Sequence, residues 1–354
     1  MRLGILTGGG DAPGLNAVIR AATRVAIRKM QWDVYGIEDG FEGLFDDNMV
    51  KPLTLPMVRG LLSRGGTILG TTNRGRLVSN GQLVRAQVEA AADRIKALGL
   101  EGLIVIGGDG SLTIAQALYE HGAPIVGVPK TIDNDLGVTD YTFGFDTALQ
   151  VAAEAVDNLH MTAESHDRVI LVEVMGRHVG WIALHAGLAG GADVILIPEI
   201  PFSIEAVAEA IAERDEAGAK FSIIVVAEGS RPRNGHEVYQ AKGRLGGVAA
   251  QVAEDLDAYH REHGIEKDIR VVVLGHLQRG GSPTVFDRVL ATRFGAAAAD
   301  LVAQGQWGQM VALQGTKIVT TDILSAVGAL KRVSPTGQMV QQARDLGIFF
   351  GDES

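Results

Sequence analysis

The chain has 354 residues, 46% of them apolar and 21% charged, which suits about two domains with buried cores and excludes a disordered chain. A net charge of −10 argues against a general nucleic-acid or membrane-surface binder, so an anionic ligand must be met by local arginines and helix N-termini. With no cysteine there are no disulfides, no thiolate catalysis and no Cys-ligated zinc, and a reducing cytoplasm is the expected location.

In chain order, residues 2–7 read as a strand, with no signal peptide before it. No apolar run approaches the ~18 residues of a membrane span. A Gly-rich turn follows, then a helix over about residues 13–29. Val84, Val88, Ala91, Ile95 and Leu98 keep helical spacing, and Gly99 stops that helix. Leu103-Ile104-Val105-Ile106 is a fully buried strand ending in Gly107-Gly108, and the same grammar recurs at residues 169–174, 194–197, 223–227 and 271–274. A hinge is expected near residues 143–147, and Ser334-Pro335-Thr336-Gly337 reads as a turn into a last helix. Repeated strand–helix units imply an α/β protein with mostly parallel sheets covered by helices on both faces. Such sheets place ligands in the loops after the carboxyl ends of their strands.

Two of those loops can hold phosphate. Thr7-Gly8-Gly9-Gly10-Asp11-Ala12-Pro13-Gly14 follows a strand and opens a helix, where backbone N–H groups and the helix terminus favour an anion. Gly107-Gly108-Asp109-Gly110-Ser111 has the same placement, and Asp109 beside a phosphate calls for a cation between them, Mg²⁺ being the natural one. Either loop alone is read as well as a plain tight turn; the pair points to a nucleotide or phosphate. Neither is a Walker loop, since the Lys-Ser/Thr ending is missing.

Pro129-Lys130-Thr131-Ile132-Asp133-Asn134-Asp135 sets two carboxylates at a strand end, suited to proton abstraction. On this segment alone an Asx-type turn is the simpler reading. Arg64, Arg74, Arg177 and Arg270 flank or follow Gly-rich loops and strands, and guanidinium groups present paired donors to phosphate. His260 and His263 share a helical face but lack a third metal ligand, and Arg231-Pro232-Arg233-Asn234-Gly235 reads as a solvent loop.

Together these segments resemble the 6-phosphofructokinase family. The likeness runs from about Leu3 to about Leu324 and rests on Gly9-Gly10-Asp11-Ala12-Pro13-Gly14, Arg64-Gly65-Gly66-Thr67, Gly107-Gly108-Asp109-Gly110-Ser111, Thr131-Ile132-Asp133-Asn134-Asp135, Glu173-Val174-Met175-Gly176-Arg177 and the run from Gly275 through His276 and Arg279 to Pro283. The resemblance implies two similar three-layer domains: residues 1–144 with about 278–325 for the phosphoryl donor, and 145–277 with about 326–354 for fructose 6-phosphate. Asp133 is then the base for the sugar 1-hydroxyl, with Thr131 beside it, Asp135 near the metal and Asp109 holding Mg²⁺. Gly10, Gly110, Ser111 and Lys130 line the donor, and Arg74, or Arg76, takes the transition-state role. Met175, Gly176, Arg177, Glu228, His276 and Arg279 meet the sugar phosphate, while Arg168 and Arg270 match positions that reach a neighbouring subunit's sugar, implying a homo-oligomer, usually a tetramer.

The implied donor is ATP, because Gly110 resembles the ATP type, whereas Lys130 also occurs in pyrophosphate-dependent members. A pyrophosphate-dependent enzyme is the alternative. Arg20, Arg24 and Asp193 match an effector site, yet Leu55, His160 and Ala219 stand where basic residues would be, so a response to ADP or phosphoenolpyruvate is expected to be weak or absent. A catalytically silent sugar-phosphate sensor would lack Asp109 or Asp133, and a kinase of NAD or a lipid leaves the sugar segments unexplained.

Overall fold

A computed structural model describes residues 1–72, 75–233, 235, 239–241, 244–328 and 330–352. The first stretch alternates β1 (Arg2–Thr7), α1 (Leu15–Met30), β2 (Asp33–Ile37) and β3 (Val50–Leu53). A small hairpin, β4 (Val78–Ser79) and β5 (Gln82–Leu83), precedes α2 (Arg85–Ala97), β6 (Gly102–Gly107), α3 (Asp109–Glu120) and β7 (Ile125–Pro129). The chain passes from one unit to the next within α4 (Phe145–Ser165), after Thr147.

Unit 2 continues with β8 (Arg168–Val174), α5 (Trp181–Ala189), β9 (Val194–Leu196), α6 (Ile204–Glu216) and β10 (Ser222–Ala227). The hairpin β11 (Tyr239–Ala241) and β12 (Arg244–Leu245), then α7 (Val248–Glu262) and β13 (Asp268–Val273), follow. At Arg279 the chain returns to unit 1, adding α8 (Val285–Ala303), β14 (Gln309–Gln314), β15 (Lys317–Asp322) and α9 (Ile323–Ala326). Unit 2 takes the last segment, from Lys331, with α10 (Gln338–Asp345). No helix among the described residues is long and apolar enough to cross a membrane.

Unit 1 holds a seven-stranded sheet in the order β15-β14-β7-β6-β1-β2-β3. Alternate residues of its central strands enter opposite layers. Leu3, Ile5, Ile104 and Ile106 pack with Leu15 and Val18 of α1 and Leu290 and Phe294 of α8. Leu6, Leu103 and Val105 pack on the other face with Val88 and Ile95 of α2 and Leu112 and Leu118 of α3. The two edge strands, β3 and β15, are antiparallel to their neighbours, so the sheet is mixed rather than wholly parallel. Pro52 is tolerated in β3 because an edge strand need not donate from both sides.

Unit 2 has four parallel strands in the order β13-β8-β10-β9. Val169, Leu171, Leu196 and Val226 pack with Val207 and Ile211 of α6 and Val252 and Leu256 of α7. β13 starts earlier than its apolar run, at Asp268, since this edge strand is only half-buried and accepts charged residues.

One cluster in unit 1 interlocks the first turns of α4 and α8. The carboxylate of Asp287, in the first turn of α8, accepts from Thr147 N at 2.8 Å and from the Thr147 hydroxyl at 2.5 Å. Thr284, the N-cap of α8, donates its backbone N–H to Thr147 Oγ1 and its hydroxyl to Asp146. Burial pushes the Asp287 carboxyl up to about 6, against the pull of Thr147. Between its ordinary value and 6 the folded chain holds a proton that the unfolded chain releases, so stability from this group falls as pH rises through that window. Relative to Asp287→Asn, the wild type should gain about 1 kcal/mol between pH 7 and pH 5 in chemical denaturation. A difference that stays constant over that range would contradict the buried-acid account.

Candidate active site

In unit 1 the loops after β1, β6 and β7 lie side by side, because those strands are parallel neighbours in the mixed sheet. Between them is a cleft of about 360 Å³ whose walls include Gly10, Asp109, Gly110, Ser111, Lys130, Thr131 and Arg279. The first loop is strapped to residues 70–72: Thr7 Oγ1 donates to Gly70 O at 2.6 Å, and Thr71 Oγ1 donates to Gly9 O at 2.6 Å. Gly14 caps α1 at φ 110, and a Cβ there would stand 2.7 Å from the Phe143 ring, so only glycine fits the entry to the helix. A Cβ on Gly110, at the start of α3, would meet nothing within 4 Å, leaving this side of the cleft open. Arg74 lies outside the described residues, while Arg76 is held by Glu42 at 2.9 Å and stacks over Phe45.

Asp109 sits in the first turn of α3 and accepts from Gly328 N at 3.0 Å through one carboxylate oxygen. Among the described residues no group of three or more His, Asp or Glu side chains could cage a metal. His260 is buried and His263 stacks on Tyr259 at 4.1 Å.

The segment after β7 is a constructed turn. Thr131 Oγ1 accepts from Asp133 N at 3.1 Å, and the Thr142 hydroxyl donates to Thr131 O at 2.7 Å. Asn134, at φ 52, accepts from Thr142 N at 3.1 Å. Thr131 and Asn134 thus fix the backbone on either side of Asp133, which is half-buried and lies two residues beyond the cleft wall. The segment is a side-chain-closed turn, the simpler of the two readings, and its Lys130 and Thr131 line the cleft.

Lys130 is buried, and its Nζ donates to the Gly10 carbonyl. Burial, then the neighbouring Arg279 charge, lower it to about 8, while Asp11, Asp133 and Asp135 pull the other way. Arg279 Nη1 donates to Asp11 O at 2.9 Å and would lie 2.8 Å from a Cβ on Gly10. Two cations therefore meet at the Gly10 turn. Arg279, read with the sugar residues from sequence, is in unit 1 and lines this cleft.

In unit 2 the parallel sheet brings another set together. Met175, Gly176 and Arg177 follow β8, Glu228 follows β10 and His276 follows β13, all at the carboxyl ends of adjacent strands. Glu228 N donates to Val174 O at 2.9 Å and Gly229 N to Gly176 O at 3.1 Å, which joins two of these loops. Arg168 and Arg270 are elsewhere: Arg168 opens β8 and pairs with Asp268 at 2.6 Å, and Arg270 pairs with the same carboxylate at 2.5 Å. Met175 follows the seven-residue strand that Arg168 opens, which puts roughly 20 Å of extended chain between them. These two arginines do not converge on Arg177 within one chain.

The Arg231 segment is a loop whose Arg231 and Arg233 are exposed, as read from the sequence, and its backbone is anchored: Phe202 N donates to Arg231 O at 3.2 Å and Arg233 N to Phe202 O at 2.8 Å. Arg231 and Arg332 line a cavity with Arg177. Arg231 was read only as part of a solvent loop and Arg332 had no reading, because the chain reaches this place from distant segments and no local motif marks it. Phe41, Val78 and Ile114, which give the unit 1 cleft apolar walls, were missed for the same reason.

The family model described as Phosphofructokinase matches residues 2–302. A Chloroflexus aurantiacus protein named ATP-dependent 6-phosphofructokinase is 58% identical over 355 residues, covering 99% of this chain and 98% of that protein. The chain belongs to the phosphofructokinase family. A Streptomyces coelicolor relative, 49% identical over 359 residues and covering 99% of this chain and 100% of its own length, is named pyrophosphate–fructose 6-phosphate 1-phosphotransferase. The solved Saccharomyces cerevisiae phosphofructokinase aligns with a TM-score of 0.79 at 34% identity over 92% of this chain; this chain spans 45% of the yeast chain.

The Lys130 ammonium offers a titration that reads the cleft directly. Sulfate keeps one charge across the range, so its affinity should fall as pH rises from 7 to 9 through the Lys130 deprotonation near 8. Lys130→Met should weaken sulfate at pH 7 by about tenfold and abolish that pH step, as calorimetry would show. An identical pH step in the variant would take Lys130 out of the anion site.

Proposed function

We propose that the chain transfers the γ-phosphoryl group of ATP to the 1-hydroxyl of fructose 6-phosphate, giving fructose 1,6-bisphosphate and ADP, in the cytoplasm. What carries the reading is the unit 1 cleft: three adjacent strand-end loops supply the Gly10 turn, Asp109 and Lys130, Arg279 joins them from the segment after β13, and Asp133 lies two residues beyond the wall residue Thr131. Unit 1 is read as the donor domain and unit 2, with Met175, Gly176, Arg177, Glu228 and His276, as the sugar domain.

Asp133 takes the proton of the 1-hydroxyl, and that oxygen forms a bond to the γ-phosphorus. The bond from γ-phosphorus to its bridging oxygen breaks, its electron pair leaving on ADP, and Asp133 later gives its proton to solvent. Thr131 holds Asp133 N and so orients the base. Gly10, Gly110 and Ser111 supply the donor's cradle, and Lys130 and Arg279 oppose its charge at the Gly10 turn. Arg177 presents a guanidinium to phosphate oxygens.

Mg²⁺ fits this donor set, because one cleft carboxylate, Asp109, without a cage of acids among the described residues suits an ion that takes its remaining ligands from waters and substrate phosphates. When bound, it neutralises phosphate charge and orients the transferred group.

Two observations favour ATP over pyrophosphate as donor. The open space at Gly110 would be filled by any longer side chain, and Phe41, Val78 and Ile114 give a purine apolar walls that pyrophosphate does not need. For assembly we propose a homotetramer in which Arg168 and Arg270 complete a neighbour's sugar site. Their position toward the amino ends of β8 and β13, and the exposed Val273 on edge strand β13, support it.

Steady-state rates with ATP and with pyrophosphate on one preparation test the donor. ATP should give the higher kcat/KM by about 100-fold, and Gly110→Asp should lower the ATP value by a similar factor through like-charge repulsion. Equal or faster turnover with pyrophosphate would reverse the assignment. Sugar binding without turnover by either donor would favour a sensor.

A further inference from the structure

Unit 2 contains a cavity of about 140 Å³ walled by Arg177, His178, Pro198, Gly229, Arg231 and Arg332. Its walls carry three guanidinium groups and no carboxylate, in a chain whose net charge is −10. Among the described residues, none of the three arginines forms an ion pair with an acidic side chain. All three residues are solvent-exposed, so water and salt screen their mutual repulsion, and an anion between them lowers it further.

The three come from distant parts of the chain and are held in place by backbone contacts. A Cβ on Gly229 would lie 2.0 Å from Arg177 O, so the loops after β8 and β10 touch where only glycine fits. Arg231 O accepts from Phe202 N at 3.2 Å. Arg332 Nη1 donates to His178 O at 3.0 Å, and the next residue, Val333, donates its N–H to Glu199 at 2.9 Å. Glu199 is the carboxylate whose charge acts on Arg332, and its oxygens already accept from Gly180 N and Val333 N. It therefore braces the site and does not fill it.

Size and chemistry limit the ligand. A volume of 140 Å³ is that of four or five waters at about 30 Å³ each, enough for one tetrahedral oxyanion and too little for a nucleoside. Guanidinium forks from three directions suit the oxygens of a phosphate. We propose that Arg177, Arg231 and Arg332 form a binding site for a single phosphate group. The site itself stands on unit 2 alone. Its consequence for catalysis rests on the reading of Arg177 given above: a phosphate held here engages a guanidinium that the sugar-phosphate reaction also uses. Free phosphate then acts as an inhibitor, and a phosphate carried on the sugar product binds tightly.

Calorimetric titration of the full chain with inorganic phosphate, at constant ionic strength and without sugar or donor, tests this apart from turnover. The wild type should take up phosphate, and Arg231→Gln with Arg332→Gln should raise the dissociation constant at least about tenfold. The pair Arg231→Lys and Arg332→Lys, which keeps charge and removes the forks, should fall between and guards against a loss of folding. If fructose 1,6-bisphosphate weakens in parallel, the site serves the sugar-borne phosphate; if only inorganic phosphate weakens, it serves the free ion. Phosphate affinity equal in wild type and the Gln pair, at an unchanged melting temperature, would overturn the proposal. A chain that binds phosphate here yet phosphorylates no sugar would overturn only the function proposed above.

Discussion

Lys130 is a buried ammonium held against the carbonyl of Gly10, and through it the loop after β7 is tied to the loop after β1. Burial works against its charge, as its lowered pKa records, and Asp11, Asp133 and Asp135 work for it. The balance leaves a cation at neutral pH in the wall of a cleft, close to the acid proposed as the base. Remove that cation and the two loops lose their common partner, while Arg279 remains at the Gly10 turn. The rest of the unit 1 site, from the Thr131 turn to the Gly14 entry of α1, sets the geometry around this contact.

The chain as a whole is acidic, and reaction between two polyanions needs the opposite field locally. The structure meets that need in each unit by one device. Parallel strands that are neighbours in the sheet end together, so residues far apart in sequence become neighbours in the loops. In unit 1 that sets Lys130, after β7, beside the Gly10 turn after β1, where Arg279 arrives from the segment that follows β13; in unit 2 it gathers Arg177 and Arg231, with Arg332 arriving from the last segment. Positioning and charge neutralisation, which dominate phosphoryl transfer, follow from sheet order.

Much of this was legible in the chain. The central strands at Leu103–Ile106 and Ile223–Ala227 are buried on both faces and so read as unbroken apolar runs. The edge strands were not seen, because Val50–Leu53 carries a lysine and a proline, and Lys317–Asp322 is only half-buried. Gly10, Asp109 and Thr131 stood out by local motif, and each lies at the cleft. Lys130 was legible as a residue type but not as a buried one, since its burial depends on Gly10, 120 positions away. Arg231 was legible only as part of a basic loop and Arg332 not at all, since only the fold brings both to Arg177.

The account turns on Asp133 acting as the proton acceptor beside this cationic cleft. Turnover of Asp133→Ala, measured together with its direct binding of fructose 6-phosphate, tests that most squarely. We expect kcat to fall by about a thousandfold while the sugar's dissociation constant stays within about threefold of wild type. A kcat within about tenfold of wild type, or a loss carried wholly by weaker sugar binding, would contradict it.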